Sequence, residues 1–109
     1  MKTKKRRKPM QHKLIMTWDI TPGKEQEYFD FLIHTYVPRM NQLGFELTDA
    51  WATIYGDEPQ VMVIAILPDE LEAERRMSQN DWHVLIDQLE EFVDNLEMKL
   101  VPAREGFQF

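Results

Sequence analysis

Residues 14–33 read LIMTWDITPGKEQEYFDFLI, and this stretch decides the fold. In residues 14–20 every second side chain is large and apolar, which is the period of a β-strand with one buried face. The triplet TPG then breaks the pattern. Beyond it, apolar residues recur every three or four positions, which is the period of a helix. A strand, a tight connection and an amphipathic helix in this order predict the opening unit of an α+β fold.

The helix that follows the first strand has recognisable ends. Thr21 is expected to cap its start with a side-chain oxygen, and Gly44 is expected to close it in a left-handed conformation. Pro38 lies inside the pattern and should bend the last turns, because proline has no amide hydrogen to donate. The predicted core-facing stripe is Phe29, Leu32, Ile33, Tyr36, Met40 and Leu43.

Later segments supply three more strands and two more helices. A long alternating strand is expected to contain a bulge near Asp49, and the sequence GDEP at 56–59 has the length of a hairpin connection. Capping-box patterns at Asp69 and at Ser78 each predict a helix start. The predicted strands are residues 45–55, 60–67 and 97–101, and the predicted helices are residues 70–77 and 81–95.

The element order β-α-β-β-α-α-β predicts a ferredoxin-like α+β fold, with a four-stranded antiparallel sheet and helices on one face. We place this domain at residues 13–103, between a disordered basic tail at 1–12 and a C-terminal tail at 104–109. The strands carry apolar side chains on both faces, although helices can cover only one. An uncovered apolar face of this kind predicts a homodimer that packs sheet against sheet.

Composition narrows the function classes. The 109 residues include no cysteine, which excludes disulfides, thiolate metal sites and a cysteine nucleophile.

The net charge of −6 is unevenly divided along the chain. Residues 1–13 hold seven Lys/Arg and no acid, whereas the other six Lys/Arg and all nineteen Asp/Glu lie in residues 14–109, which carry −13. A nucleic-acid partner is disfavoured because the acidic domain would repel phosphates, so the tail is interpreted as solubilising or as an intramolecular contact. Neither a secretory signal nor a membrane span is recognisable, so a cytoplasmic protein is expected.

Several short motifs resemble one superfamily. TPGKEQEY at 21–28, YVP at 36–38, LGF at 43–45 and SQNDW at 78–82 are similar to helix starts and ends of dimeric α+β barrel proteins. Antibiotic biosynthesis monooxygenase-like and NIPSNAP-like families belong to this group. The resemblance implies a small-molecule-binding dimer, as in cofactor-independent monooxygenases and isomerases. A non-enzymatic ligand-sensing or assembly module is the alternative, and whether the protein is an enzyme stays open.

Candidate site residues follow from side-chain chemistry. Tryptophan and tyrosine combine an apolar body with one hydrogen-bonding group, which suits the wall of a ligand pocket. The predicted ligand-binding residues are Trp18, Tyr36, Trp51, Tyr55 and Trp82. The candidate proton-transfer residues are His34, Asp19 and Asp49. The two acids are included because apolar neighbours could raise their pKa values. His34 also shares a helix face with Glu27 and Asp30, but we interpret that face as solvated, and we expect no metal and no cofactor. His83 is interpreted in the same way.

Overall fold

The computed structural model describes residues 10–52 and 59–103, leaving aside the side chains of Asp49, Trp51 and Ala52. The described strands form one antiparallel sheet, in the order β2 (Glu46–Ala52), β3 (Val61–Leu67), β1 (His12–Ile20) and β4 (Val93–Pro102). This order and the helices between the strands confirm the predicted ferredoxin-like α+β fold. The elements are β1 His12–Ile20, α1 Glu25–Phe31, a π-helical segment Leu32–Tyr36, α2 Val37–Gln42, β2 Glu46–Ala52, β3 Val61–Leu67, α3 Glu70–Met77, α4 Asn80–Leu89 and β4 Val93–Pro102.

The core lies between the helices and one face of the sheet. On β1 the alternation has the predicted effect, since Leu14, Met16 and Trp18 are at most 1% exposed while the intervening residues are only half-buried. On β3 the same alternation buries Val63 and Ala65. Strand β1 also begins earlier than the sequence pattern predicts. His12, which was assigned to the tail, pairs in β1 with residues of both β3 and β4.

Strand β2 contains the predicted bulge. Leu47 pairs with Ala65, but Asp49 pairs with Ile64, so one extra residue, Thr48, interrupts the ladder. An extra residue reverses the alternation, because side chains in a strand point to opposite faces with a period of two. The alternation along β2 is therefore interrupted at Thr48. Positions 53–55 and most of the GDEP connection lie outside the described residues.

The first helix starts one turn later than the predicted cap would require. Lys24 stands at the N-cap position without a side-chain cap, and Glu25 is the first helical residue. Thr21 instead accepts a hydrogen bond from the Lys24 amide on its carbonyl (3.0 Å), and its hydroxyl donates to the Asp94 carboxylate (3.1 Å). The turn between them needs a positive φ at Gly23, which is +87°. The prediction that Thr21 caps the helix is wrong because the TPG turn is complete before the helix begins.

Pro38 produces a π-helical segment where a bend was predicted. The amide of Val37 donates to the carbonyl of Leu32, five residues earlier, just before the proline that lacks a donor. The wider turn keeps residues spaced by four on the same side of the helix. Tyr28 and Tyr36 therefore face the core, whereas Phe29 and Ile33, predicted to be part of the stripe, are 48% and 62% exposed. Gly44 closes the helix with a φ of +91°, as predicted.

The second helical region differs from the prediction in its caps. Asp69 accepts a hydrogen bond from the amide of Glu72 (2.8 Å), which confirms Asp69 as the N-cap, but the Glu72 carboxylate pairs with Arg75 and Arg76 and so does not complete the capping box. The capping box predicted at Ser78 is wrong, since Gln79 occupies the N-cap position of α4 and Ser78 donates to the carbonyl of Arg75 (2.8 Å). The serine hydroxyl therefore satisfies the end of α3 rather than the start of α4.

Helix α4 is shorter than predicted and β4 correspondingly longer. The helix ends at Leu89, and Val93 already pairs with Ile20 of β1. Apolar spacing alone would allow the helix to continue through Val93. The residues from Val93 onward instead pair with β1 and form β4. Among the described residues, none of the helices is long and apolar enough to cross a membrane.

Candidate functional site

A cavity of about 260 Å³ lies between the first helical region and strands β2 and β3. Most of its wall is aliphatic, and the residues of the wall with a polar side-chain group are two tyrosines and one threonine. A mainly apolar wall with a few polar groups is typical of small-molecule pockets. The wall consists of Tyr28, Leu32, Tyr36 and Val37 from the helical side and Leu47, Thr48, Ala50, Val61 and Val63 from the strands.

Two backbone irregularities adjoin this cavity. On the helical side, Leu32 and Tyr36 are the first and last residues of the π-helical segment. On the sheet side, Leu47 and Thr48 lie at the bulge of β2. Segments of π-helix and β-bulges both occur often beside functional sites, because each redirects side chains that a regular element would fix elsewhere.

A cluster of aromatic side chains, defined here as Trp18, Tyr28 and Tyr36, lies beside the cavity, and its two tyrosines belong to the cavity wall. The Trp18 ring meets both tyrosine rings edge to face, with centroid distances of 6.5 Å to Tyr28 and 5.7 Å to Tyr36. The indole Nε1 of Trp18 donates a hydrogen bond to the hydroxyl of Tyr28 (3.0 Å). The hydroxyl of Tyr36 donates to the sulfur of Met16 (3.3 Å). All three aromatic residues are at most 1% exposed.

Burial governs the protonation of both tyrosines. Desolvation raises the pKa of Tyr28, and the hydrogen bond from Trp18 offsets this only in part. Desolvation also raises the pKa of Tyr36 strongly, with a further contribution from the neighbouring Tyr28. Both groups are therefore neutral phenols at physiological pH, so that each has a hydroxyl proton to donate.

Of the predicted ligand-binding residues, Tyr36 is the one that the described structure places in the cavity wall. Trp18 lies behind the wall, in contact with both tyrosines. Trp82 lies elsewhere in the core, stacked on Phe45 with ring centroids 4.8 Å apart. The side chain of Trp51, and Tyr55 as a whole, lie outside the described residues. Tyr28 was not predicted, although its spacing of eight residues from Tyr36 was a usable signal.

Two of the proton-transfer candidates, His34 and Asp19, have side chains that the structure describes, and neither lines the cavity. His34 is exposed, and its Nδ1 donates to the carbonyl of Asp30 (3.0 Å). Asp19 accepts hydrogen bonds from the side-chain amide of Asn95 (2.9 Å) and from the backbone amide of Gln60 (3.0 Å). These bonds lower the pKa of Asp19, so the expectation of a raised pKa is wrong for this carboxyl.

The remaining titratable candidates add no metal site. The side chain of Asp49 lies outside the described residues. His83 is exposed on α4. Across residues 10–52 and 59–103, no group of three or more His, Asp or Glu side chains is arranged to hold a metal ion.

The sheet face opposite the helices has an apolar centre between charged edges. Ile15 of β1 pairs with Ile64 of β3, and Met62 and Ile66 occupy the same face of β3 on either side of it. All four are only half-buried. The register places Glu46 at one edge of this face and Lys99 at the other. We call this surface the open face.

The sequence matches no family model and no curated protein at a significant level. Solved structures do match. A NIPSNAP family protein from Agrobacterium tumefaciens has a TM-score of 0.68 at 18% identity, covering 87% of this chain and 94% of its own. A mutant of SnoaB, a cofactor-independent oxygenase from Streptomyces nogalater, has a TM-score of 0.63 at 18% identity, covering 88% and 95%. A hydroxynitrile lyase from Passiflora edulis has a TM-score of 0.71 at 13% identity, covering 92% and 99%.

These structural neighbours confirm the resemblance at the level of the fold. The chain shares the ferredoxin-like α+β fold of these neighbours, which include NIPSNAP family proteins and a cofactor-independent oxygenase. With sequence identities below 20%, what the chain shares with them is architecture.

Proposed function

We propose that the protein binds a small apolar or aromatic molecule in the cavity between the first helical region and strands β2 and β3. The composition of the cavity wall carries this proposal, because aliphatic side chains surround two neutral phenols. A volume of about 260 Å³ is just below the usual range of ligand pockets, roughly 300–1,000 Å³, which favours a compact ligand.

The finer proposal is that the bound molecule is converted without a cofactor, as by an oxygenase or an isomerase. The shared fold supports it, since two of the structural neighbours are an oxygenase described as cofactor-independent and a hydroxynitrile lyase. The described cavity wall contains tyrosines but no acid and no histidine. Any proton transfer proposed for this wall therefore involves a tyrosine hydroxyl or the ligand itself.

A dye-binding experiment tests occupancy of the cavity. The fluorescence of 8-anilinonaphthalene-1-sulfonate rises when the dye enters an apolar site, so it reports binding directly. Val37→Phe adds a ring to a residue of the cavity wall and should weaken binding at least tenfold. Val84→Phe is the matched control, because Val84 is also helical and is 40% exposed, compared with 37% for Val37, but it does not line the cavity. Equal binding by both variants would contradict the proposal.

We further propose that two copies pair through the open face. Its half-buried apolar centre, formed by Ile15, Met62, Ile64 and Ile66, is flanked by charged residues at the edges, which is the usual arrangement of a protein interface. A twofold axis through this face would place the same patch on both partners. The cavity lies on the helix side of the sheet, so pairing would leave it accessible.

A further inference from the structure

The hydrogen bond between Trp18 and Tyr28 has only one possible direction. An indole Nε1–H donates and never accepts, so the oxygen of Tyr28 must be the acceptor in this 3.0 Å contact. The hydroxyl proton of Tyr28 must then point to a different partner. Among the described residues there is no acceptor for it.

The second tyrosine of the cavity wall differs in this respect. Tyr36 donates its hydroxyl proton to the sulfur of Met16, so its donor is already used within the protein. Tyr28 is 1% exposed and Trp18 is fully buried, so Tyr28 is shielded from bulk water. A buried donor without an acceptor costs roughly 1–3 kcal/mol, which makes it a group that requires an explanation.

We infer that Tyr28 donates its hydroxyl proton to an acceptor oxygen of the ligand, so that the site selects apolar or aromatic molecules carrying a carbonyl or a similar oxygen. This inference rests on the proposed function, because it assigns the chemistry of the ligand in the same cavity. Trp18 positions the hydroxyl by occupying one lone pair of its oxygen. Tyr28 thereby becomes the residue that determines specificity.

A pair of probes that differ in one group tests this inference. 2-Acetylnaphthalene carries a carbonyl oxygen where 2-isopropenylnaphthalene carries a methylene group of similar shape. The affinity of each probe is measured by displacement of the anilinonaphthalene dye. The wild-type protein should prefer the ketone, and Tyr28→Phe should reduce that preference about three- to tenfold, the range expected for one neutral hydrogen bond.

Thr21→Val is the control, since it removes a hydroxyl that donates to Asp94 and lies outside the cavity wall. It should leave the ratio of the two affinities unchanged. Equal affinity of the wild-type protein for both probes, or an equal change for both in Tyr28→Phe, would overturn the inference and leave the proposed function standing. Failure of the wild-type protein to bind either probe would overturn both.

A measurement on the wild-type protein covers the case in which Tyr28→Phe does not fold. When a hydroxyl donates a hydrogen bond, its oxygen becomes a stronger acceptor, because hydrogen bonds in a chain polarise one another. The indole N–H resonance of Trp18 should therefore shift downfield in the NMR spectrum when the ketone binds. An equal shift with the alkene, or no shift with the ketone, would contradict the inference.

Discussion

Replacing Ile64 with glutamate tests the proposed pairing through the open face. Ile64 lies on β3, which pairs with both β1 and β2, and its partner across the ladder to β1 is Ile15. Its side chain is half-buried in the single chain, so that part of its apolar surface is available to a partner. A carboxylate at this position would have to be dehydrated in a packed interface, which is costly without a paired charge.

The magnitude follows from the symmetry of the interface. Full burial of an isoleucine side chain contributes about 1.5–3 kcal/mol. A twofold interface contains Ile64 twice, so loss of both contacts weakens pairing by roughly 3–6 kcal/mol, or about 10² to 10⁴ in the dissociation constant. Because Ile64 is already half-buried in the single chain, the lower end of this range is the better expectation.

Sedimentation velocity at micromolar concentration measures the outcome. The wild-type chain should sediment as a dimer and Ile64→Glu as a monomer. Leu71→Glu is the control, because Leu71 is 76% exposed on α3, on the helix side of the sheet, and should leave the dimer intact. A monomeric wild-type chain, or an unchanged dimer with Ile64→Glu, would refute the reasoning.

Two further substitutions test local interactions. Asp69→Ala removes the cap of α3 and should lower the free energy of unfolding by about 1 kcal/mol in a urea titration; an unchanged midpoint would mean that the bond to the Glu72 amide contributes nothing. Asp19→Asn tests a pH effect. Because folding lowers the pKa of Asp19 from its ordinary 3.8, its ionised form stabilises the fold above that pH, and this contribution is lost as the pH falls through the folded-state pKa. The stability advantage of the wild type over Asp19→Asn should therefore be larger at pH 6 than at pH 3, as measured by urea unfolding; equal differences would contradict this.

Much of the fold could be predicted because alternation and turn residues act locally. The period-two pattern of β1 and the N-cap at Asp69 both depend on neighbours close in sequence, and the structure confirms both. The end of α4 could not be predicted in the same way. Val93 fits a helical stripe equally well, and its place in β4 depends on pairing with Ile20, which is 73 positions away.

The candidate site was less predictable, because its geometry depends on two irregularities. The π-helical segment brings Tyr36 to the same side of the helix as Tyr28, and the bulge at Thr48 interrupts the alternation of β2. The length of the strand predicts a bulge near Asp49, but the π-helical segment does not follow from apolar spacing, since it shifts the helical register by a single residue. Tyr36 was predicted and lies in the cavity wall, whereas Trp82, predicted on the same reasoning, packs against Phe45.

A crystal structure of the protein grown with 2-acetylnaphthalene tests the central claim most directly. We expect density for the naphthalene rings between Val37 on the helical side and Val63 on β3, with the ketone oxygen within hydrogen-bonding distance of the Tyr28 hydroxyl. A cavity filled by protein side chains, or density for the probe only at another place on the molecule, would contradict the claim.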